Sequence, residues 1–336
     1  MAELTPNDIV SGLFHPVPER FKPFYNLWQT QTSLLWSTDT MLSELRIDSA
    51  NWPRLNPRLQ TIVYRLAIYF AIVDKFASEI AAKMSSFRFT ELYIVVLFAI
   101  VTHIEGVHSD MYSRFIDMFI KTEDRADIIQ REIMKLPAIT AMLEWGKTYA
   151  NNSGNDIRPL IIGALCYEGI MVRTFFAIPC AMKSKENILP GFIKGNEFVG
   201  RDEWQHVLNW VALYNYVTKH DSSVGPAFGK LPDKRVYSQV LGAINIAEAA
   251  LDEMIEVDLP QWNINRDEIK QIARFTANTI LEMLGCELRI ATTISRLPDY
   301  MQTLNAMQFT SFHTTVPTEY MQASKEETFD MASLYD

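Results

Sequence analysis

Residues 103–112 read HIEGVHSDMY, and within them Glu105 and His108 stand three positions apart. An α-helix completes a turn every 3.6 residues, so side chains at this spacing project from one face and can hold one metal ion together. The same pair recurs at Glu203 and His206. A duplicated Glu-x-x-His pair on long apolar stretches predicts helices that hold two metal ions between them.

Two further acidic residues, Asp74 and Glu168, lie inside other apolar stretches with helical spacing. In di-iron and di-manganese bundles, one carboxylate from each of two helices joins a Glu-x-x-His pair from each of two others. Carboxylates with one imidazole per ion are typical of iron or manganese, whereas structural zinc prefers thiolates. The predicted metal ligands are Asp74, Glu105, His108, Glu168, Glu203 and His206.

Coincidence accounts for one such pair but poorly for two. The chain has 40 acidic residues and 6 histidines among 336 positions, so on the order of one acid-x-x-His pair is expected by chance. The alternative is that His108 and His206 are core histidines, satisfied by carboxylates or backbone groups. Burying four carboxylates without a cation would cost on the order of several kcal/mol each, or force them to protonate. The metal site is therefore the favoured interpretation.

Composition bounds the class of protein. Hydrophobic residues make up 48% of the chain, glycine occurs at only 13 positions, and alternating strand-like runs are scarce. These features predict an all-α fold, a helical bundle with the metal site in its four-helix core and further helices flanking it. A net charge of −9 without a basic run argues against a nucleic-acid partner.

No membrane association is expected either. The longest apolar run, residues 92–101, is too short to cross a bilayer, and residues 1–10 contain neither a basic nor an apolar leader segment. Cys166, Cys180 and Cys286 form no Cys-x-x-Cys pair and are expected to be buried thiols in a reducing compartment. A soluble, cytoplasmic protein is predicted.

Caps and prolines predict the organisation of the chain. We expect an irregular arm over residues 1–24, a helical domain over 25–311 whose first helix carries Trp28 and Trp36, and a flexible polar tail over 312–336.

Boundary residues also place the individual helices. Two amphipathic helices, residues 234–257 and 266–294, are expected outside the core. The predicted site helices are residues 57–83 capped by Asn56, residues 91–120 capped by Thr90, a helix from about Asp156 that stops or kinks at Pro179, and one that starts at Pro190-Gly191.

Taken together, the site segments resemble the radical-generating β subunit of class I ribonucleotide reductase, a ferritin-like family. The resemblance implies a homodimer that activates O2 at two iron ions, μ-oxo bridged when oxidised, with manganese possible. It also implies a separate large subunit that reduces ribonucleotides to deoxyribonucleotides. The segments that carry it are VDKF at 73–76, HIEGVHSDMY at 103–112, YEGIMVRTFF at 167–176 and GRDEWQH at 200–206.

The same resemblance assigns the metals and a radical residue. It groups Asp74 with Glu105 and His108 at the first metal, and the other three ligands at the second. The family's radical tyrosine corresponds to Tyr112, four residues after His108 and so on the same helix face. The alternative for Tyr112 is an ordinary core tyrosine with a satisfied hydroxyl. Residues expected to line its pocket are Phe176 and Val199.

A path for electrons and protons to the large subunit is implied as well. Its near end corresponds to Trp36, Asp202 and His108, because an aspartate can hold a ligand imidazole by a hydrogen bond. The alternative for Trp36 is a core aromatic residue. Tyr320 corresponds best to the redox tyrosine of the family's flexible tail.

The end of the tail is expected to dock on the large subunit. Phe329, Leu334 and Tyr335 are apolar anchors in an otherwise polar, acidic segment, which suits folding on binding.

Two other functions remain open on the residues alone. One is a diiron oxidase or desaturase acting on an apolar substrate, which Asp74, Tyr112 and Tyr320 argue against. The other is a ferritin-like metal-binding or storage protein, which the length of 336 residues fits poorly.

Overall fold

A computed structural model describes residues 14–85, 89–119, 122–151, 156–186, 188–219, 229–301 and 304. Within these ranges the chain is helical, and the only strand-like pairing is an isolated bridge between Leu259 and Ile264. The predicted all-α fold class is confirmed.

The described helices are α1 Lys22–Ser33, α2 Leu42–Asn51, α3 Pro57–Lys83, α4 Leu92–Asp117, α5 Arg125–Glu132, α6 Pro137–Ala150, α7 Arg158–Lys185, α8 Pro190–Lys219, α9 Asp233–Met254 and α10 Arg266–Met283. Four of them, α3, α4, α7 and α8, carry the predicted metal ligands. Among their contacts, α3 packs along α4, and α8 packs on α7, α4 and α2, while α9 and α10 cover α7 from outside.

The starts of α3 and α4 differ in how well the sequence predicted them. Helix α3 begins as expected, with the Asn56 side chain accepting a hydrogen bond of 2.9 Å from the Arg58 backbone N–H. The prediction that Thr90 caps α4 is wrong. Glu91 occupies the cap position, and its side chain accepts from the Thr90 backbone N–H instead of capping the helix.

Helix α7 departs from the predicted pattern twice. It continues through Pro179 to Lys185, so of the predicted stop or kink at Pro179 the stop is wrong, and the kink stays a prediction. The most apolar 18-residue window of α7 is 100% buried, and packing on all sides offsets the hydrogen bond that proline cannot make. Residues Tyr167–Val172 are wound as a π-helix, and Glu168 lies in this segment.

Both α4 and α7 are long and apolar enough to span a bilayer, with a mean hydropathy of 1.6 in each. The α7 window is wholly buried and the α4 window is 44% buried within the chain. They are core helices of the bundle, and no membrane is indicated. The other residues of the α4 window are half-buried or exposed, so one side of this apolar helix is not covered by the rest of the described chain.

The first and last helices end differently from prediction. Helix α1 begins at Lys22 and ends at Ser33, so Trp36 lies in the loop that follows, not on a helix. Helix α10 ends at Met283 rather than near residue 294. Gly285, with φ of 70°, terminates it: Cys286 N–H bonds back to the Leu281 carbonyl, the pattern of a glycine C-cap.

Candidate metal centre

The six predicted ligands converge in the core where α3, α4, α7 and α8 meet. Each has at most 2% of its surface exposed. Helix α3 supplies Asp74, α4 supplies Glu105 and His108, α7 supplies Glu168 from its π-helical segment, and α8 supplies Glu203 and His206.

These side chains form two overlapping groups. Within each group, one ligand atom from every member lies within 4.8 Å of the others. Glu105 and Glu203 belong to both groups, so each would be within reach of two ions. The first group is Asp74, Glu105, His108 and Glu203, and the second is Glu105, Glu168, Glu203 and His206.

Both imidazoles turn the same nitrogen toward the carboxylates. His108 Nδ1 lies 3.4 Å from Glu105 Oε2 and 3.3 Å from Glu203 Oε1. His206 Nδ1 lies 3.0 Å from Glu105 Oε1 and 3.4 Å from Glu168 Oε2. Each Glu-x-x-His pair thus directs both of its members inward, as its helical spacing predicts.

Several polar atoms of this cluster are buried without a hydrogen-bond partner. Because an unpaired buried polar atom is costly, native cores contain few of them. Their concentration here argues against satisfied core histidines and fits a dinuclear metal site, in which the carboxylate oxygens and the inward Nδ1 atoms would be ligands. The orphan atoms are Asp74 Oδ2, both oxygens of Glu105, Glu203 Oε2, Nδ1 of His108, and both ring nitrogens of His206.

The charge balance of the metal-free cluster also fits cation binding. Burial, reinforced by the Glu105 carboxylate, raises the pKa of Glu203 to about 8 and raises that of Asp74 well above its usual value. Burial alone would lower the pKa of His108, but the hydrogen bond to Asp202 and the neighbouring carboxylates of Glu105 and Glu203 raise it well above its usual value. Without a metal the cluster therefore holds protons that two cations would replace.

One residue that supports a ligand was missed by the sequence analysis. The indole N–H of Trp210 points at both oxygens of Glu168, at 3.1 Å each. Trp210 is fully buried and follows His206 by four residues, so it lies on the ligand face of α8. The spacing of four residues after His206 was the sequence signal that could have identified Trp210.

A hydrogen-bonded chain leads from His108 to Trp36. Asp202 Oδ2 accepts from Trp36 Nε1 at 2.7 Å and lies 3.3 Å from His108 Nε2. Arg201 holds the other Asp202 oxygen at 2.8 Å and the Leu34 carbonyl at 2.8 Å. Burial would raise the pKa of Asp202, but Arg201 and the His108 hydrogen bond lower it, so the carboxylate is ionised.

Tyr112 lies in an aromatic pocket beside the cluster and is fully buried. Its hydroxyl donates to Asn196 Oδ1 at 3.0 Å, and its ring stacks on Phe70 at 5.1 Å between centroids. The expected pocket residue Phe176 stacks on Phe70 at 4.8 Å, and Val199 is fully buried on α8. Phe70 and Asn196 were not predicted. Burial raises the pKa of Tyr112 well above its usual value.

The tail residues proposed from the resemblance lie outside the described residues. They are Tyr320, Phe329, Leu334 and Tyr335.

Comparisons with known proteins point to one family. The family model for "Ribonucleotide reductase, small chain" matches residues 14–290. A ribonucleoside-diphosphate reductase small chain of Encephalitozoon cuniculi is 23% identical, covering 91% of this chain and 89% of that protein. One of the Arabidopsis thaliana proteins of the same name is 26% identical, covering 92% of this chain and 90% of that protein.

Solved structures share the fold. The dimanganese(II)-NrdF of Streptococcus sanguinis superposes with a TM-score of 0.69 at 16% identity, over 90% of this chain and 99% of that one. The Rnr4 homodimer of Saccharomyces cerevisiae gives 0.68 at 15% identity, over 88% and 89%. The chain therefore belongs to the ribonucleotide reductase small-chain family, an oxidoreductase family with the ferritin-like helical fold seen here.

Proposed function

We propose that this chain oxidises Tyr112 to a radical and lends that oxidising equivalent to a separate large subunit, which reduces ribonucleotides to deoxyribonucleotides. The observation that carries the proposal is the buried tyrosine beside six convergent metal ligands, in a chain of this family. The oxidase and iron-storage alternatives share the ligand set, but neither needs Tyr112 or the chain from His108 to Trp36.

The metals would be held by the six ligands, with Glu105 and Glu203 between the ions. When bound, two redox-active ions supply oxidising equivalents from O2. Oxygen and imidazole donors suit iron and manganese alike. We propose two iron ions, μ-oxo bridged when oxidised, as the cofactor, and manganese as the alternative.

The protein keeps the Tyr112 phenol protonated until it is oxidised, and it keeps water away from the radical afterwards. Because burial raises its pKa, the phenol is neutral at physiological pH, and losing an electron makes it lose its proton too. Phe70 and Phe176 stack in series on one side of the ring. Such apolar walls exclude water and reductants from the radical.

We propose the chain Trp36, Asp202 and His108 as the start of the route to the large subunit. The ionised Asp202 holds the indole proton of Trp36 and fixes the orientation of the His108 ring. Tyr320 is the proposed next carrier. The tail end with Phe329, Leu334 and Tyr335 is the proposed anchor on the large subunit.

A homodimer through α4 is proposed from its uncovered apolar face. Ala99 and Gly106 are exposed seven positions apart on one face of the helix, with the exposed His103 between them, and Val96, Ile100 and Val107 beside them are half-buried. The small residues Ala99 and Gly106 define the small-residue stripe of α4. Such a stripe suits close packing against the same helix of a second copy.

A cytoplasmic location is proposed as well. The three cysteines, Cys166, Cys180 and Cys286, are unpaired and buried, as in proteins of reducing compartments.

The experiment that tests the radical is low-temperature EPR of metal-free protein loaded with Fe(II) and exposed to O2. Tyr112→Phe should take up two ions per chain but give no tyrosyl signal and no reductase activity with the large subunit. Tyr69→Phe and Tyr167→Phe are matched controls, because both tyrosines are fully buried in the same core. They should keep the signal.

Other outcomes would change the assignment of the radical residue or of the function. A signal that survives in Tyr112→Phe but disappears in either control would place the radical on that other tyrosine. Metal uptake without a radical in the unaltered protein, after Fe(II) and after Mn(II), together with a retained apolar ligand would favour the oxidase alternative.

A further inference from the structure

The side-chain amide of Asn196 has its orientation set by two hydrogen bonds. Its Nδ2 group donates to the Phe192 carbonyl at 2.7 Å, and its Oδ1 accepts from the Tyr112 hydroxyl at 3.0 Å. A carbonyl can only accept, so the amide nitrogen must face Phe192 and the amide oxygen must face Tyr112. Asn196 has 1% of its surface exposed, so no bulk water competes for either bond.

Oxidation of Tyr112 would require Asn196 to donate a hydrogen bond where it now accepts one. The reduced phenol has a proton to donate, whereas the oxygen of a neutral phenoxyl radical can only accept. With the amide as it stands, two acceptor oxygens would then face each other at 3.0 Å. A half-turn of the amide brings an N–H to the phenoxyl oxygen. The same half-turn faces the amide oxygen toward the Phe192 carbonyl, so the amide must also move off that carbonyl, which still accepts the backbone N–H of the next turn of α8.

We propose that Asn196 is a positioning residue for the Tyr112 radical, accepting from the phenol before oxidation and donating an amide N–H to the phenoxyl oxygen after it. This inference rests on the proposed radical function. In the oxidation, Tyr112 loses one electron to the dimetal centre oxidised by O2. Its proton would leave with the water formed from O2, because an amide oxygen is too weak a base to keep it and the cluster carboxylates would be held by the ions.

The residues around the ring show why the amide matters. Phe70 stacks on the Tyr112 ring, and Phe176 stacks on Phe70. Phe115 and Phe192 pack against each other one turn from Tyr112 and Asn196. Among the described residues, Asn196 is the hydrogen-bond partner of the Tyr112 hydroxyl. Asn196 therefore sets how strongly the radical is hydrogen-bonded.

High-field EPR and deuterium ENDOR of the radical, after exchange into D2O, test this. A hydrogen bond to the phenoxyl oxygen lowers the largest g value and adds a coupling to an exchangeable deuteron. The unaltered holoprotein should show both features. Asn196→Leu, which keeps the branched shape of the side chain and removes the amide, should lose the deuteron coupling and shift the largest g value upward.

A matched control is Asn209→Leu, since Asn209 is another fully buried asparagine on α8 that bonds to Gln205 and not to Tyr112. Its radical should keep the g value and the coupling of the unaltered protein. A purely structural role for Asn196 would change protein yield or melting temperature in both variants without moving the g value.

Two results would overturn the inference. The coupling could be missing from the unaltered radical, or it could persist in Asn196→Leu, in which case a water molecule is the donor. Either leaves the radical at Tyr112 intact. If the unaltered protein forms no tyrosyl radical, the proposed function fails together with this role. A thermal-melting double-mutant cycle of Tyr112→Phe and Asn196→Leu, run without metal, then reports whether the resting hydrogen bond exists.

Discussion

At the scale of single residues, the metal centre depends on groups that never touch the ions. Trp210 shows this most directly, because its one N–H is shared between both oxygens of Glu168. A ligand carboxylate held by a donor is oriented before the metal arrives and loses less freedom on binding. Asp202 does the same for His108 from the opposite side of the cluster.

Replacing Trp210 with phenylalanine should weaken metal binding by about 10- to 100-fold, because Glu168 loses its donor while the ring remains. The measurement is a titration of the metal-free protein with Mn(II) or with anaerobic Fe(II). Trp145→Phe removes an indole bond of 3.1 Å to the Gly163 carbonyl, away from the ligands, and serves as the control. Equal metal affinities in the two variants would show that Trp210 does not support metal binding.

At the scale of elements, α8 is held at its start by a residue far away in the chain. Asp48 on α2 accepts the backbone N–H groups of Gly191 and Phe192 at 2.9 Å and 2.6 Å. Both groups belong to the first turn, which has no partners within the helix. A Cβ on Gly191 would meet the Leu45 backbone nitrogen at 2.7 Å, so glycine permits this close approach.

Asp48→Ala should therefore destabilise the protein by about 1–2 kcal/mol, the range of a lost helix cap. Chemical denaturation of the metal-free protein measures the change. Asp39→Ala is the control, because Asp39 is an exposed partner of Arg114 and its loss should stay within about 0.5 kcal/mol. A matching loss in both variants would mean that the cap contributes nothing beyond a surface contact.

At the scale of the whole molecule, the proposed assembly uses two surfaces outside the bundle core. The first is the small-residue stripe on α4, where Ala99 and Gly106 are exposed. Since α4 also carries Glu105 and His108, a dimer through this stripe would place the two metal centres on adjoining helices. The second is the proposed docking tail, residues 312–336, which lies outside the described residues.

Ala99→Arg should convert the dimer to monomers. A symmetric interface would receive two arginines, and a buried unpaired charge costs about 3 kcal/mol, or roughly a hundredfold in dissociation constant. Sedimentation velocity gives the mass of the species. Glu144→Arg, on the exposed side of α6, adds the same side chain elsewhere and should stay dimeric. A dimeric Ala99→Arg protein would place the interface on another face.

Removing the residues after Thr318 should abolish large-subunit binding and leave the metal content and the EPR radical unchanged. The reason is that the metal centre lies wholly within the bundle, whereas the proposed anchors lie in the tail. Binding is measured by co-sedimentation with the large subunit. A synthetic peptide of residues 319–336 should compete with the full chain, and a peptide of the same composition in scrambled order should not. Undiminished binding by the shortened chain would contradict the docking role.

The sequence by itself determined the helical class, the start of α3 at Asn56 and the six side chains that meet at the centre. These follow from rules that act within one helix: Glu105 and His108 share a face because the backbone turns every 3.6 residues. The end of α10 had a local signal too, since Gly285 supports the left-handed turn that stops it.

Only the tertiary structure decided which carboxylates lie between the two ion positions, and which residues surround them. Asn196 meets Tyr112 across 84 positions of sequence, and Asp48 meets Gly191 across 143. The π-helical segment at Glu168 and the continuation of α7 through Pro179 oppose local preference. Both are stable because neighbouring helices bury α7 on every side, and burial summed over a long helix outweighs the preference of a single residue.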